Sequence, residues 1–287
     1  MPILKKGDKV GFIATSDGLS EDSLPNVEKL ADFFKYFKLE VVIAKTIYKK
    51  DNYFSGTPKE RADELMALFI NKSISAIFDI SGGDSCNQIL PHLDFEVIKK
   101  NKKVFIGYSD ISVLINSLYK LSGIQSVYYN AHNLYKENVY YQIKFFEYFF
   151  FENSNDNIFL KYNWLNKKSM SGIIIGGNIR CFLKLAGTRY FPNPKGKILL
   201  LEAYSGNLSR ITSLLSQIEQ IGYFEKISGI ILGNFYEIEK NSEMNLLTKY
   251  LSEINQKYDL PIAQTEKIGH KNDSIGIVMG KKMYLRP

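Results

Sequence analysis

Short apolar runs alternate along the first half of this chain with stretches whose apolar residues recur every three or four positions, and that alternation restricts the fold more than any other feature. Val10-Gly-Phe-Ile-Ala14 reads as a strand, Val27, Leu30, Ala31, Phe34 and Phe37 mark a helix, and Leu39 to Ala44 returns as a strand. Gly56-Thr-Pro-Lys-Glu60 then supplies Thr57 as N-cap, Pro58 at the first helical position and Glu60 to close a capping box. The helix so begun carries Ala62, Leu65, Leu68 and Phe69, and the strand Ser75 to Ile80 follows it, ending in Ser81-Gly-Gly-Asp-Ser85. Val104, Phe105 and Ile106 form one more strand, which runs without a linker into helical spacing at Val113, Leu114, Ser117, Leu118 and Leu121. Such alternation predicts a doubly wound α/β domain with a mostly parallel sheet covered on both faces. Ligands of these folds sit beyond the carboxyl ends of strands, where Gly82-Gly83 and Ser109 both fall.

The second half has a different texture. Tyr135 to Glu152 is aromatic-rich at helical spacing, and the polar break Asn153-Ser-Asn-Asp-Asn157 follows. We expect an N-terminal domain over 1–152, a linker over 153–172 containing Trp164, and a smaller C-terminal α/β domain with mixed β structure over 173–287. Its landmarks are Ile173-Ile-Ile-Gly-Gly-Asn178, the strand Gly196 to Glu202, a helix from Ser209 to Ile221, and the strand Ser228 to Gly233. A helix near Glu243 to Gln256 comes next, and two short strands around Ile275 and Met283 finish the chain.

Composition removes several function classes. The net charge is +7, yet the lysines are scattered and no run mixes basic with aromatic residues as a nucleic-acid face would. No apolar stretch approaches membrane-spanning length, and the run after the N-terminal lysines is too short for a signal segment, so a cytoplasmic protein is expected. Cys86 and Cys181 make neither a disulfide framework nor a metal-ligand pattern, and no H-E-x-x-H is present, so no metal or other cofactor is expected.

The chemistry-bearing residues are few. Ser109, at the strand-to-helix corner, faces a helix N-terminus where backbone N–H groups favour negative charge; the plain alternative is a helix N-cap. Of three histidines, His92 adjoins Pro91 and reads as a structural or surface residue, His132 follows Tyr128-Tyr-Asn-Ala and could line a pocket, and His270 lies in the polar, Gly-flanked loop Lys267-Ile-Gly-His-Lys-Asn-Asp273. Glu202 ends an apolar strand; its plain reading is an exposed strand-end charge. Taken together, Ser109, Glu202 and His270 run in the order nucleophile, acid, base, each at the end of an expected element.

Gly56-Thr-Pro-Lys-Glu-Arg-Ala-Asp-Glu-Leu65, Ile80-Ser-Gly-Gly-Asp-Ser-Cys-Asn-Gln-Ile-Leu-Pro-His-Leu-Asp94, Gly107-Tyr-Ser-Asp-Ile111, Ile175-Gly-Gly-Asn178, Leu185-Ala-Gly-Thr-Arg-Tyr190, Ile198-Leu-Leu-Leu-Glu202 and Gly269-His270 resemble, in this order, the motifs of the serine LD-carboxypeptidases, a family that also holds the microcin C immunity peptidases. The resemblance spans nearly the whole chain. It implies a Ser-Glu-His triad of Ser109, Glu202 and His270, an oxyanion hole from the backbone N–H groups of Asp110 and Gly83, and a homodimer. It implies hydrolysis of the bond to the terminal D-alanine of a murein tetrapeptide; the alternatives are cleavage of a peptidyl nucleotide and a non-catalytic binding or immunity protein on the same fold. Gly82 and Trp164 are the candidate substrate contacts, Trp164 as a platform for the base of a peptidyl nucleotide, with an anchor packed between the domains as its plainer reading. The chain departs from the family pattern at Ser81, where an arginine is common, at Asp84-Ser85, at Asn130-Ala131 and at Thr212-Ser213.

Overall fold

The computed structural model describes residues 2–50, 54–136, 139–152, 160–166 and 168–287. Its strands are β1 (Lys9–Ile13), β2 (Glu40–Ile43), β3 (Ile74–Asp79), β4 (Val104–Gly107), β5 (Ser126–Tyr128), β6 (Asn163–Trp164), β7 (Met170–Asn178), β8 (Lys197–Ala203), β9 (Gly229–Phe235), β10 (Ile262–Gln264), β11 (Ile277–Met279) and β12 (Lys282–Leu285). The helices are α1 (Leu24–Tyr36), α2 (Pro58–Ile70), α3 (Phe95–Lys100), α4 (Ser112–Ser122), α5 (Val139–Phe146), α6 (Ile179–Leu183), α7 (Leu208–Gln220), α8 (Tyr236–Lys240) and α9 (Met244–Tyr258).

Two six-stranded sheets result, ordered β11-β5-β4-β3-β1-β2 and β12-β7-β8-β9-β10-β6. Neighbours β5 through β2 in the first sheet are all parallel, as are β7 through β10 in the second. The antiparallel strands β11, β12 and β6 close sheet edges. The fold class is therefore the α/β class read from the sequence. Helix α2 begins at the expected capping box, with the Glu60 N–H donating to Thr57 Oγ1 at 3.2 Å and the Thr57 N–H to Glu60 Oε2 at 2.7 Å.

The aromatic segment forms α5 and then a wider, π-type turn over Glu147–Glu152. Its rings complete the core beneath the first sheet: Phe146 packs on Phe150 at 4.5 Å and on Phe34 at 5.4 Å between centroids, and Phe34 meets Phe78 edge-on at 4.9 Å. The polar break Asn153 to Asn157 lies outside the described residues.

Alternation within the second sheet gives each face a different partner. Leu199, Leu201, Ile230, Leu232 and Ile262 join the cluster formed with α7 and α9. Ile198, Leu200, Ile231 and Ala263 point the other way and merge with the core of the first sheet. The two sheets thus share one apolar core rather than touching across a polar seam. Two departures from the expected layout follow. Strand β11 leaves the C-terminal region to pair antiparallel with β5, Ile277 opposite Tyr128. Trp164, expected in a linker, is in an edge strand of the second sheet, paired with Ala263.

An isolated 1–152 fragment loses both β11 and the apolar face that covers its sheet. It is expected to bind a hydrophobic dye and to melt without a cooperative transition; a sharp two-state unfolding curve for that fragment would contradict the shared core.

Candidate active site

The strand β4 ends at Gly107, and after Tyr108 the chain makes a single 3-10 turn (Ser109–Ile111) before α4. Ser109 holds a left-handed backbone with φ 57°, an unusual conformation for a residue with a side chain and one concentrated at functional turns. Neither the turn nor α4 has a side-chain cap, so the N-cap alternative for Ser109 is set aside. The Ser109 N–H donates to the Tyr128 hydroxyl oxygen at 3.0 Å, and that hydroxyl donates to Glu202 Oε1 at 2.8 Å.

Glu202 is 0 % exposed, which removes the surface-charge alternative. A buried carboxylate must have its lone pairs taken. Here Oε1 also accepts from Asn178 Nδ2 at 2.9 Å, and Oε2 stands 2.7 Å from His270 Nδ1. With Nδ1–H directed at Glu202, the free ring nitrogen of His270 is Nε2. The histidine is presented by a short loop that Asn234 staples: its Oδ1 accepts the His270 N–H at 3.1 Å, and its Nδ2 donates to Ile268 O at 2.9 Å. Gly269 is required at this place. Its φ is +130°, and a Cβ there would meet Asn234 Oδ1 at 2.6 Å and Glu202 Oε2 at 2.7 Å.

Tyr108 and Tyr204 flank the imidazole at 5.2 and 5.1 Å between ring centroids, and burial pushes the Tyr108 phenol up to about 12, so it stays neutral. Tyr204 stacks on Tyr236 at 5.2 Å. These two rings with His270, Lys136, Lys271, Asn272 and Asp273 line a cleft of about 380 Å³.

The Gly82-Gly83 loop faces the serine turn: a Cβ on Gly82 would lie 4.0 Å from that of Ser109. Gly83 has φ +130°, and a Cβ there would strike Asp17 at 2.2 Å. Asp17 Oδ1 in turn accepts the N–H groups of Asp84 and Ser85 at 3.1 and 3.0 Å, which fixes the loop. Beneath it, buried Asp79 accepts from the backbone and hydroxyls of Thr15 and Ser81; burial nevertheless raises its pKa against those donors.

The other candidates lie elsewhere. His92 is exposed at the end of a 3-10 turn. His132 donates from Nε2 to Ile80 O at 2.7 Å and accepts the Tyr135 hydroxyl at Nδ1, and burial lowers its pKa, so it acts as a neutral strut. Half-buried Trp164 packs against the shared core and does not line the cleft at His270. Among the described residues no group of His, Cys, Asp or Glu could hold a metal ion. Residue type and spacing did not single out Tyr128, Asn178 and Asn234, although Asn178 closes a Gly-Gly-Asn motif. Tyr128→Phe takes a partner from both the Ser109 N–H and Glu202; a stability loss of about 1–3 kcal/mol in urea unfolding is expected, and an unchanged midpoint would mean the hydroxyl does not bridge them.

Comparison with known proteins places these features in one family. Residues 10–129 match the LD-carboxypeptidase N-terminal domain and residues 171–285 the LD-carboxypeptidase C-terminal domain. The microcin C7 self-immunity protein MccF of Escherichia coli is 26% identical, with 98% of this chain and 91% of that protein covered. The murein tetrapeptide carboxypeptidase of Pseudomonas aeruginosa is 22% identical over 96% of this chain and 92% of that protein. Among solved structures, MccF in complex with aspartyl sulfamoyl adenosine superposes with a TM-score of 0.86 at 24% identity, covering 99% of this chain and 94% of that one. The muramoyltetrapeptide carboxypeptidase from Oxalobacter formigenes gives 0.81 at 22% identity, covering 97% and 95%. Two domain models that together take in most of the chain, in their natural order, establish that it belongs to the LD-carboxypeptidase family.

Proposed function

We propose that this protein is a serine carboxypeptidase that releases the terminal D-alanine of murein tetrapeptides through a Ser109-Glu202-His270 triad. The observation that carries the reading is the Tyr128 hydroxyl, which touches the backbone of Ser109 and the carboxylate that holds His270. His270 Nε2 takes the proton of Ser109 Oγ as the oxygen adds to the scissile carbonyl carbon. The resulting oxyanion is held by the N–H groups of Asp110 and Gly83. The imidazolium then returns the proton to the departing amine, the C–N bond breaks, and water repeats the sequence on the acyl-serine. Glu202, held by hydrogen bonds from Tyr128 and Asn178, orients the ring and balances the charge of the imidazolium.

The serine belongs to the proposed 1–152 domain and Glu202 and His270 to the proposed 173–287 domain, so the reading requires both. It also carries a cytoplasmic location and a homodimer, the second of which light scattering on the purified protein tests. One observation favours cleavage of a peptidyl nucleotide: Tyr204 and Tyr236, 53% and 40% exposed, offer a stacked aromatic wall beside His270 on which a base can lie. Two MccF structures are described as complexes with aminoacyl sulfamoyl nucleosides.

A fluorophosphonate should label the wild-type protein at Ser109; absence of labelling would favour a non-catalytic role. Ser109→Ala and His270→Ala should each remove essentially all turnover, by about three orders of magnitude or more, because triad members act as a unit. Products read by mass from defined muropeptides and from aminoacyl sulfamoyl adenosine separate the substrates: D-alanine release supports the main reading, and selective cleavage of the nucleoside amide replaces it.

A further inference from the structure

Lys184 caps the C-terminal end of α6, a helix that belongs to the second sheet, yet its ammonium lies among residues of the first. Its side chain is only 18% exposed. Nζ is 2.6 Å from Asp110 Oδ1, 2.8 Å from Asp84 O and 3.2 Å from Asp84 Oδ1. One turn earlier, Arg180 pairs with Asp84 and reaches Gly83 O at 3.4 Å. Asp110 is fully buried, and its other oxygen accepts Ser16 Oγ at 2.6 Å and the Cys86 N–H at 2.9 Å. The three donors of one ammonium therefore go to two separate backbone segments, the serine turn and the glycine loop.

We propose that Lys184 is a positioning residue that sets the spacing between the Asp110 turn and the Gly83-Asp84 loop, the two segments assigned above to the oxyanion. The inference rests on that hydrolase reading. Its logic is geometric: each oxyanion donor comes from a different loop, and a backbone N–H helps only when it is aimed at the position the charge will occupy. Asp17 fixes one side of the glycine loop and Ser16 with Cys86 one side of Asp110, but within the first sheet no side chain among the described residues bonds to Asp84 and Asp110 together. Lys184 does so from the opposite sheet, so the oxyanion geometry is completed only when the two sheets dock.

The plain alternative is that Lys184 only offsets the buried charge of Asp110. Fluorophosphonate labelling separates the two, because the phosphoryl oxygen occupies the oxyanion position. Lys184→Met should lower the maximal inactivation rate by about 10–100-fold with little change in the concentration needed for half-saturation. Because that variant leaves a buried carboxylate unpaired and can fail to fold, the double variant Lys184→Met/Asp110→Asn is the deciding one. It is expected to melt near the wild-type midpoint and still label slowly, while Lys184→Arg recovers much of the rate. If the double variant regains the labelling rate together with stability, charge compensation is the whole role and the inference falls. If wild-type Ser109 is not labelled, the hydrolase reading fails and takes this inference with it; if it is labelled and the Lys184 variants match its rate, the positioning role alone is overturned.

Discussion

The arrangement depends on a carboxylate buried where no water reaches it. Moving an ionised carboxyl group into an apolar interior costs several kcal/mol unless donors replace its hydration. Glu202 obtains them from Tyr128 at the end of β5, Asn178 at the end of β7 and His270 in the loop after β10. No two of these donors share an element, and Tyr128 belongs to the other sheet. The charge can be stable only in the assembled molecule, which turns a local electrostatic requirement into a constraint on how both sheets are placed.

The contact between the sheets has the character that this constraint demands. Asn116 on α4 makes both hydrogen bonds of a strand partner to Gly176, accepting its N–H at 2.9 Å and donating to its carbonyl at 2.7 Å. Ser112 Oγ accepts the Asn178 N–H at 2.9 Å while donating to Ser109 O at 2.7 Å. The helix that begins at the serine turn is thereby stitched to the strand that delivers Asn178. Ile174, Ile198, Leu200 and Ile231 pack into the core of the first sheet. A seam built like a domain interior, rather than a wet interface between loosely tethered units, resists the relative motion that would unbalance Glu202.

What the sequence reveals follows from what is local. Periodicity located β1, β3, β4 and their helices because apolar spacing is a property of one segment. The Thr57 capping box and the Ser109 corner were legible for the same reason. The apolar strand ending in Glu202 signalled an acid in need of partners, but not their identity: Tyr128 and Asn234 carry no spacing that separates a hydroxyl or amide aimed at a site from one facing solvent. The pairing of β11 with β5 is equally silent, since a short strand near the end of a chain fits either sheet until its neighbours are known. Trp164 looked like a linker residue because its strand has two residues, too few for any period to appear.

The departure at Ser81 takes its meaning from its surroundings. The residue is 1% exposed; its N–H and hydroxyl both donate to Asp79 Oδ1, at 2.9 and 2.6 Å, and the same hydroxyl oxygen accepts the Ser16 N–H at 3.2 Å. A compact hydroxyl lets β1 and β3 close together just below the glycine loop, where a long cationic side chain in the same direction would have to displace Ser16 or leave the interior. Cations reach this region by other routes. Arg61, entirely buried, supports it from below by donating to the carbonyls of Thr15 and Ser16 at 2.8 and 2.7 Å and to Ser85 Oγ at 3.0 Å. Arg180 and Lys184 approach from the second sheet. Positive charge around the loop is therefore divided between a buried support and a pair that arrives only with the docked C-terminal sheet.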